Sequence, residues 1–211
     1  MHVAIVLFDN VTLLDAVGPH EVLHNHPDLE VTFVATTPGV KRTEGGLPVV
    51  AEASLDEVPS PDIVLVPGGP GQAQAEEDEE LLAWLRAADA TTTWTTSVCT
   101  GALVLGAAGL LRGKRATTYW MDLDELERHG ATPVKARYVF DGKYATAAGV
   151  SAGIDMALAL VERISGDFVA QAIQLGIEYD PHPPFTAGSP DRAPAEVVDV
   201  LRARARAADR A

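Results

Sequence analysis

Thiol groups are almost missing from this 211-residue chain, which contains a single cysteine, Cys99. One cysteine permits no disulfide within the chain, a pattern typical of proteins from a reducing compartment. Basic residues are also scarce, because 16 Lys and Arg stand against 30 Asp and Glu and leave a net charge of −14. We therefore expect no nucleic-acid partner and no anionic membrane partner, since the phosphates of both attract a basic surface.

Long apolar runs are missing too. The longest gently apolar stretch, residues 100–111, is far shorter than the roughly 20 residues of a membrane-spanning helix. The first residues, "MHVAIVLF", are typical of a buried strand and not of a signal peptide. With 47% hydrophobic and 22% charged residues, the composition is that of a globular protein. The sequence predicts one domain over residues 1–211 and a cytoplasmic location.

Short apolar runs alternate with helical patterns along the chain. Predicted strands lie at 2–8, 30–36, 62–67 and 93–98, and predicted helices at 12–24, 78–90, 100–110, 121–130, 149–176 (two, with a break near 165–167) and 194–210. Strands that are apolar on both faces are typical of a parallel sheet covered on both sides. The pair Asp141-Gly142 predicts a hairpin. The predicted fold class is therefore α/β, with a mostly parallel sheet and helices on both faces.

The segment "TWTTSVCTG" places Cys99 where a strand gives way to a helix. Ligands of parallel sheets bind beyond the carboxyl ends of the strands. Small residues two positions on either side of a nucleophile allow a sharp strand-to-helix turn, and here they are Ser97 and Gly101. The start of the following helix is expected to lower the pKa of the thiol. The alternative is that Cys99 is a small buried apolar residue.

A glycine-rich turn follows the third predicted strand, in "DIVLVPGGPG". Adjacent glycines let the backbone approach a ligand and can aim an N–H group at it. The N–H groups of Gly69 and Thr100 are therefore candidates for an anion-stabilising pair, although the stretch can also be a plain turn. A dinucleotide site is disfavoured because Gln74 stands where the third glycine of that motif belongs.

Asp15 is the candidate acid, because it lies between apolar neighbours in "LLDAV" just after the first strand. A carboxyl group beside a thiolate in such a place would have a raised pKa and could deliver a proton. Asp9 is the competing carboxylate, and its position is typical of a turn residue.

The segment "HEVLH", residues 20–24, matches the H-E-x-x-H pattern of zinc proteases. Its histidines share one helical face, but prolines at 19 and 27 leave about two turns of helix. Possible third ligands are His26, His129 and His182, none in a recognisable metal setting. We therefore expect no metal.

The segments "LLDAVGPHEVL", "VPGGPG", "TSVCTGALVLGAAGLLRGKRATTYW", "GVSAGIDMALAL" and "QLGIEYDPHPPFTAGSP" resemble the ThiJ/PfpI branch of the class I glutamine amidotransferase-like superfamily. Within that branch, the chain looks like the bacterial isonitrile hydratases. The resemblance implies a flavodoxin-like three-layer sandwich, a homodimer and no cofactor. It also implies that Cys99 is the nucleophile, Asp15 its acidic partner, and Gly69 and Thr100 part of the anion-stabilising pocket. The implied reaction converts an isonitrile and water into an N-substituted formamide through a thioimidate on the cysteine.

Two departures from related proteins bear on the chemistry. Many relatives carry histidine where this chain has Tyr119, and several relatives outside the hydratases carry histidine where it has Thr100. A Cys-His dyad therefore lacks its histidine, and the Cys99–Asp15 pair is left to perform the reaction. Two alternatives use the same cysteine: a glyoxalase-like enzyme acting on small reactive carbonyls, and a redox or ligand sensor. Relatives that are transcription regulators add a helix-turn-helix, whereas residues 194–210 predict one Arg/Ala helix.

Overall fold

The four predicted apolar strands form the centre of the sheet, as expected for buried parallel strands. In the computed structural model, which describes residues 1–208, the strands are β1 (His2–Val6), β2 (Glu30–Ala35), β3 (Gly39–Arg42), β4 (Pro48–Ala51), β5 (Ala53–Ser54), β6 (Ile63–Val66), β7 (Trp94–Val98), β8 (Arg115–Ala116), β9 (Thr132–Pro133), β10 (Tyr138–Asp141) and β11 (Tyr144–Ala147). Seven of them form one sheet in the order β10-β11-β7-β6-β1-β2-β5. All neighbours are parallel except the hairpin β10–β11.

The helices that precede Glu178 cover both faces of this sheet. The helices of the described chain are α1 (Leu13–Leu23), α2 (Gln72–Glu77), α3 (Glu79–Asp89), α4 (Gly101–Ala107), α5 (Ala152–Ser165), α6 (Asp167–Gly176) and α7 (Ala195–Ala208), with a 3₁₀ helix at Leu123–His129. Alternate residues of β1 enter two separate cores. Val3 and Ile5 belong to the core with α1 and α5, and Ala4 and Val6 to the core with α3 and α4. The predicted three-layer α/β sandwich is therefore confirmed.

Most element boundaries lie close to those predicted. The hairpin turns at Gly142, where φ is 62°, and the 3₁₀ helix ends at Gly130 in the left-handed conformation. Pro19 lies inside α1, which has 11 residues, so the expectation that the prolines at 19 and 27 leave about two turns of this helix is wrong. The hairpin β3–β4 was not predicted, because its alternately exposed residues lack the apolar run of a central strand. Residues 209 and 210 of the last predicted helix lie outside the described residues.

The chain divides into two compact units, the first Met1–Ile177 and the second beginning at Glu178. The first unit contains the sheet and α1 to α6, and the second contains a proline-rich segment followed by α7. Within the described part of the chain, no helix combines the length and apolarity that a bilayer crossing requires.

Candidate active site

The predicted site residues lie at one edge of the sheet, just after the ends of neighbouring parallel strands. In the order β11-β7-β6-β1, each strand ends at this edge, and the loops after them contain Gly149, Cys99, Gly68 and Asn10. This is the edge at which parallel sheets bind ligands.

Cys99 forms the sharp turn between β7 and α4. Its φ is 57°, a left-handed conformation that costs a non-glycine residue on the order of 1–2 kcal/mol. The predicted small neighbours have the expected steric role: Ser97 is fully buried in β7, and any side chain at Gly101 would overlap the Val66 carbonyl oxygen. The turn therefore depends on small residues on both sides of the sulfur.

Three groups distant in sequence hold the turn in place. The Cys99 N–H donates to the Ala147 carbonyl at 3.0 Å, and the Thr118 hydroxyl donates to the Cys99 carbonyl at 2.7 Å. A Cβ atom at Gly149 would lie 2.7 Å from Cys99 Cβ, so only glycine lets that loop pack against the cysteine. None of the three was identified from the sequence, because each contact depends on the pairing of β11 with β7 or on the loop after β8.

A second network restrains the loop after β11. The Arg137 guanidinium donates to the Asp155 carboxylate and, at 3.1 Å, to the Ser151 hydroxyl. The Arg137 carbonyl accepts the Ala148 N–H at 2.9 Å. Arg137 thus joins the loop that contains Gly149 to the first turn of α5.

Asp15 lies in the first turn of α1 and is fully buried. Its Oδ2 accepts the Gly68 N–H at 3.1 Å. Its Oδ1 has no conventional hydrogen-bond partner among the described residues, and the Cys99 thiol is the neighbouring side chain that interacts with the carboxyl group. The predicted contact between the acid and the thiol is therefore present.

Burial raises the pKa of the Asp15 carboxyl to about 7, against the opposing effects of the Gly68 N–H and the Cys99 thiol. This confirms the raised pKa predicted for this acid. The reason is that a buried carboxylate loses its hydration and here has one backbone donor in compensation.

The prediction that Cys99 has a lowered pKa is wrong. Burial, followed by the negative charge of Asp15, raises the pKa of the thiol well above its usual range, and the Thr100 N–H only partly opposes them. Helix α4 has only seven residues, so its dipole is small. Cys99 is only 5% exposed to solvent. Two adjacent negative charges cannot both be stabilised here, so the resting proton lies on sulfur.

The glycines after β6 pack against the loop between β1 and α1. A Cβ atom at Gly69, where φ is 131°, would lie 2.6 Å from the Asn10 carbonyl oxygen, and one at Gly68 would lie 2.5 Å from Thr100 Oγ1. A side chain at Gly71 would overlap the Asp9 carbonyl. The glycines are thus required for close backbone packing around the site.

The two N–H groups predicted to stabilise an anion donate hydrogen bonds to other atoms of the site. Gly69 donates its N–H to Thr100 Oγ1 at 3.0 Å, and the Thr100 N–H hydrogen bonds to the Cys99 sulfur. Because the Thr100 oxygen accepts from Gly69, its own O–H proton is oriented away from that donor. The Thr100 hydroxyl therefore keeps a proton that it can donate to a group other than Gly69.

Tyr119 stands beside this pair. It is half-buried against the apolar core that includes Cys99, and its ring centroid lies 5.8 Å from that of Trp120. Burial raises the pKa of its hydroxyl, a hydrogen bond with Trp120 partly opposes this shift, and the charge of Asp122 adds to it. Tyr119 is thus a neutral donor beside the pair. Asp9, the competing carboxylate, accepts the Arg42 N–H at 2.9 Å and is a turn residue.

The H-E-x-x-H residues lie together, with one ligand atom each of His20, Glu21 and His24 within 4.8 Å of one another. Two of the candidate third ligands are engaged elsewhere: His26 with Ser165 at 2.7 Å, and His129 with Glu76 at 3.5 Å. A zinc-protease centre of two histidines plus a third protein ligand is therefore not assembled by those residues.

Comparison with known proteins agrees with this geometry. The DJ-1/PfpI family matches residues 1–163. This chain belongs to the DJ-1/PfpI family. Its sequence is 45% identical over 205 residues to "Isonitrile hydratase" of Pseudomonas putida, covering 97% of this chain and 90% of that protein.

Two further similarities extend the comparison. A ThiJ/PfpI family protein from Pseudomonas syringae superposes with a TM-score of 0.93 and 37% identity, covering 95% of this chain and 84% of that one. "Glutathione-independent glyoxalase DJR-1.2" of Caenorhabditis elegans is 24% identical over 140 residues, which is 65% of this chain and 75% of that protein. The first similarity extends beyond the family match into the second unit.

Proposed function

We propose that this protein is an isonitrile hydratase that converts an isonitrile and water into an N-substituted formamide. The observation that carries the proposal is the buried contact between the Cys99 thiol and the Asp15 carboxyl. The 45% identity to the Pseudomonas putida protein of that name supports the same assignment. The whole chain, residues 1–211, is then one working ThiJ/PfpI-type domain.

The chemistry of the substrate explains why such a pair is suitable. The terminal carbon of an isonitrile is electrophilic and also carries a lone pair, so a nucleophile and a proton must reach the same atom. A thiol and a carboxyl group in contact present both at one point. The reaction adds water without oxidation or reduction, so its balance requires no redox cofactor.

In the first step, the Asp15 carboxylate takes the thiol proton while the Cys99 sulfur bonds to the isonitrile carbon. The carboxyl group then delivers that proton to the same carbon. The product is a thioimidate, R–N=CH–S–Cys99, and Asp15 is again ionised. The raised pKa of Asp15, about 7, suits both halves of this transfer, because the group both accepts and releases a proton near neutral pH.

In the second step, Asp15 removes a proton from water as the water oxygen adds to the thioimidate carbon, and it then gives that proton to the nitrogen. The C–S bond of the resulting tetrahedral adduct breaks, which releases the formamide R–NH–CHO. The sulfur leaves as a thiolate and regains the proton of the adduct's hydroxyl group. Thr100 Oγ1, held by the Gly69 N–H, donates a hydrogen bond to the charge that develops in the adduct.

The biological setting follows from the same assignment. A small-molecule substrate suits the cleft at the carboxyl ends of the strands, and the acidic chain suits neither nucleic acid nor membrane partners. A single cysteine that must stay reduced to react is suited to the cytoplasm. We also propose a homodimer, from the resemblance to the ThiJ/PfpI branch.

The proposal is tested by incubating the purified protein with a simple aromatic isonitrile and following loss of the isonitrile infrared band and formation of the formamide. We expect the natural sequence to turn over the isonitrile and the Cys99→Ala variant to show no turnover. A folded protein that leaves the isonitrile unchanged would contradict the proposal.

A parallel incubation with methylglyoxal examines the second candidate, which the similarity to the Caenorhabditis elegans glyoxalase favours. Formation of lactate without isonitrile turnover would select the glyoxalase. Oxidation of Cys99 without turnover of either compound would select the sensor.

A further inference from the structure

Helix α1 presents two imidazole rings on its surface, on the part of the helix that the proposed reaction does not use. His20 and His24 are four residues apart, which places them on one face one turn from each other. Their ring centroids lie 4.9 Å apart. Glu21 adds a carboxylate, and one ligand atom from each of the three residues lies within 4.8 Å of the other two.

We propose that His20, Glu21 and His24 form a chelating site for a divalent transition-metal ion such as Zn²⁺ or Cu²⁺. Two imidazoles and a carboxylate are the donor set that such ions prefer, whereas magnesium and calcium prefer oxygen ligands. The site is separate from the Cys99–Asp15 pair and does not depend on the proposed function.

The spacing of the donor atoms fits such an ion. Metal–ligand bonds of about 2.1 Å in a tetrahedral arrangement place the ligand atoms roughly 3.4 Å apart. His24 Nε2 and Glu21 Oε1 are already 3.5 Å apart. The side chains of these two residues are 43% and 59% exposed, so small rotamer changes can bring all three donors to this distance, and water can fill the remaining coordination positions.

An aromatic neighbour holds the His20 ring in place. The His20 ring stacks on Phe33, with centroids 5.1 Å apart and planes inclined by 18°, which restricts its orientation. A ring held in this way loses little further freedom when it binds a metal ion.

The site differs from the zinc-protease centre that the motif resembles. In that centre the glutamate is the general base and a third protein ligand comes from elsewhere in the chain. Here Glu21 is itself within the donor cluster, and no fourth histidine, cysteine or acid joins it among the residues the structure describes. Such a site binds metal and stabilises one turn of α1, and the structure gives no reason to expect peptide hydrolysis.

The test is a calorimetric titration of metal-free full-length protein with zinc chloride, repeated with copper(II) chloride, at pH 7.5. Both titrations use the Cys99→Ala background, so that the thiol cannot bind the metal. We expect saturable one-to-one binding. His20→Ala and His24→Gln should each weaken it by at least about tenfold, and Glu21→Gln should weaken it less. Lowering the pH to 5.5 should also weaken binding, because protons compete for the imidazoles.

His182→Ala is the matched control, because His182 is exposed and has a neighbouring carboxylate, Asp180 at 3.7 Å, but belongs to no three-residue cluster of possible metal ligands in the described part of the chain. It should leave binding unchanged. The proposal is overturned if neither metal binds at concentrations up to about 1 mM, or if binding persists in both the His20 and His24 variants. Melting curves of each variant without metal establish that the fold is retained, and zinc should raise the melting temperature of the Cys99→Ala protein but not that of its His24→Gln form.

Discussion

Two carboxylates at opposite ends of the sheet have very different surroundings. Asp89, where α3 leads into β7, receives an ion pair from Lys143 Nζ at 3.1 Å and hydrogen bonds from Thr95 Oγ1 at 2.6 Å and the Tyr144 hydroxyl at 3.0 Å. Asp15, at the carboxyl ends of the strands, has one backbone N–H donor and the thiol of Cys99.

The two networks have opposite consequences. At the Asp89 end the carboxyl group has three side-chain partners, and burial together with Asp89 raises the pKa of the Tyr144 hydroxyl to about 12, so that this donor stays protonated. At the Asp15 end no cation among the described residues offsets the cost of burial, and the pKa of the carboxyl rises to about 7. A fully satisfied carboxylate stabilises the fold, whereas an under-satisfied one is available to move protons.

The largest expected effect is on turnover. Asp15→Asn keeps the size of the side chain and can still accept the Gly68 N–H, but it can neither take nor release a proton. We expect kcat/KM for an isonitrile to fall by roughly 10²–10⁴-fold, the usual contribution of a positioned acid or base. The measurement is a steady-state assay of the folded variant. Asp89→Asn is the control and should retain nearly full turnover; near-normal kinetics of Asp15→Asn would refute the role of this acid.

Stability should change in opposite directions at the two ends. The raised pKa of Asp15 means that its ionised form destabilises the fold: this cost is absent below about pH 4, grows as the pH rises towards 7, and is complete above it. Asp15→Asn should therefore increase the free energy of unfolding at pH 8 by up to about 4 kcal/mol, because each pKa unit corresponds to 1.36 kcal/mol.

Asp89→Asn should instead decrease the free energy of unfolding by about 2–3 kcal/mol at pH 8, because it leaves Lys143 without its ion pair. Urea unfolding at pH 8 and pH 4.5 measures both changes. The gain from Asp15→Asn should shrink at the lower pH. A loss of stability in Asp15→Asn at pH 8 would show that the Gly68 N–H and the Cys99 thiol are enough to offset the burial of the Asp15 carboxylate.

Two threonines in and beside β7 provide a smaller test. Thr100→Val removes the hydroxyl that receives the Gly69 N–H, and it should lower kcat by about tenfold, equivalent to roughly 1.4 kcal/mol of transition-state stabilisation. Thr96→Val is the matched control, because the Thr96 hydroxyl donates to the Val64 carbonyl at 2.9 Å inside the sheet. The control should reduce stability and leave kcat within about twofold. Equal effects on kcat would mean that the Thr100 hydroxyl has no role of its own.

Local patterns in the sequence predicted the central strands, the turn at Cys99 and the acid at position 15. These features depend on runs of neighbouring residues, so one sequence contains the information. The contacts of Thr118 and Gly149 with Cys99 were not predictable, because they depend on how distant segments pack. The predicted direction of the Cys99 pKa shift was wrong for a related reason. The length of α4 and the depth to which Cys99 is buried are properties of the folded chain.

The most direct test of the central claim is a ¹³C NMR titration of the protein labelled at its aspartate carboxyl carbons. The Asp15 signal is assigned by its loss in Asp15→Asn. Because burial is the main cause of its raised pKa, we expect a midpoint near pH 7 in the natural sequence. In Cys99→Ala the midpoint should be the same or higher, since the thiol hydrogen bond lowers this pKa. A midpoint near 4 in the natural sequence would contradict the account, because burial would then not raise this pKa, and so weak a base would not readily take the thiol proton at neutral pH.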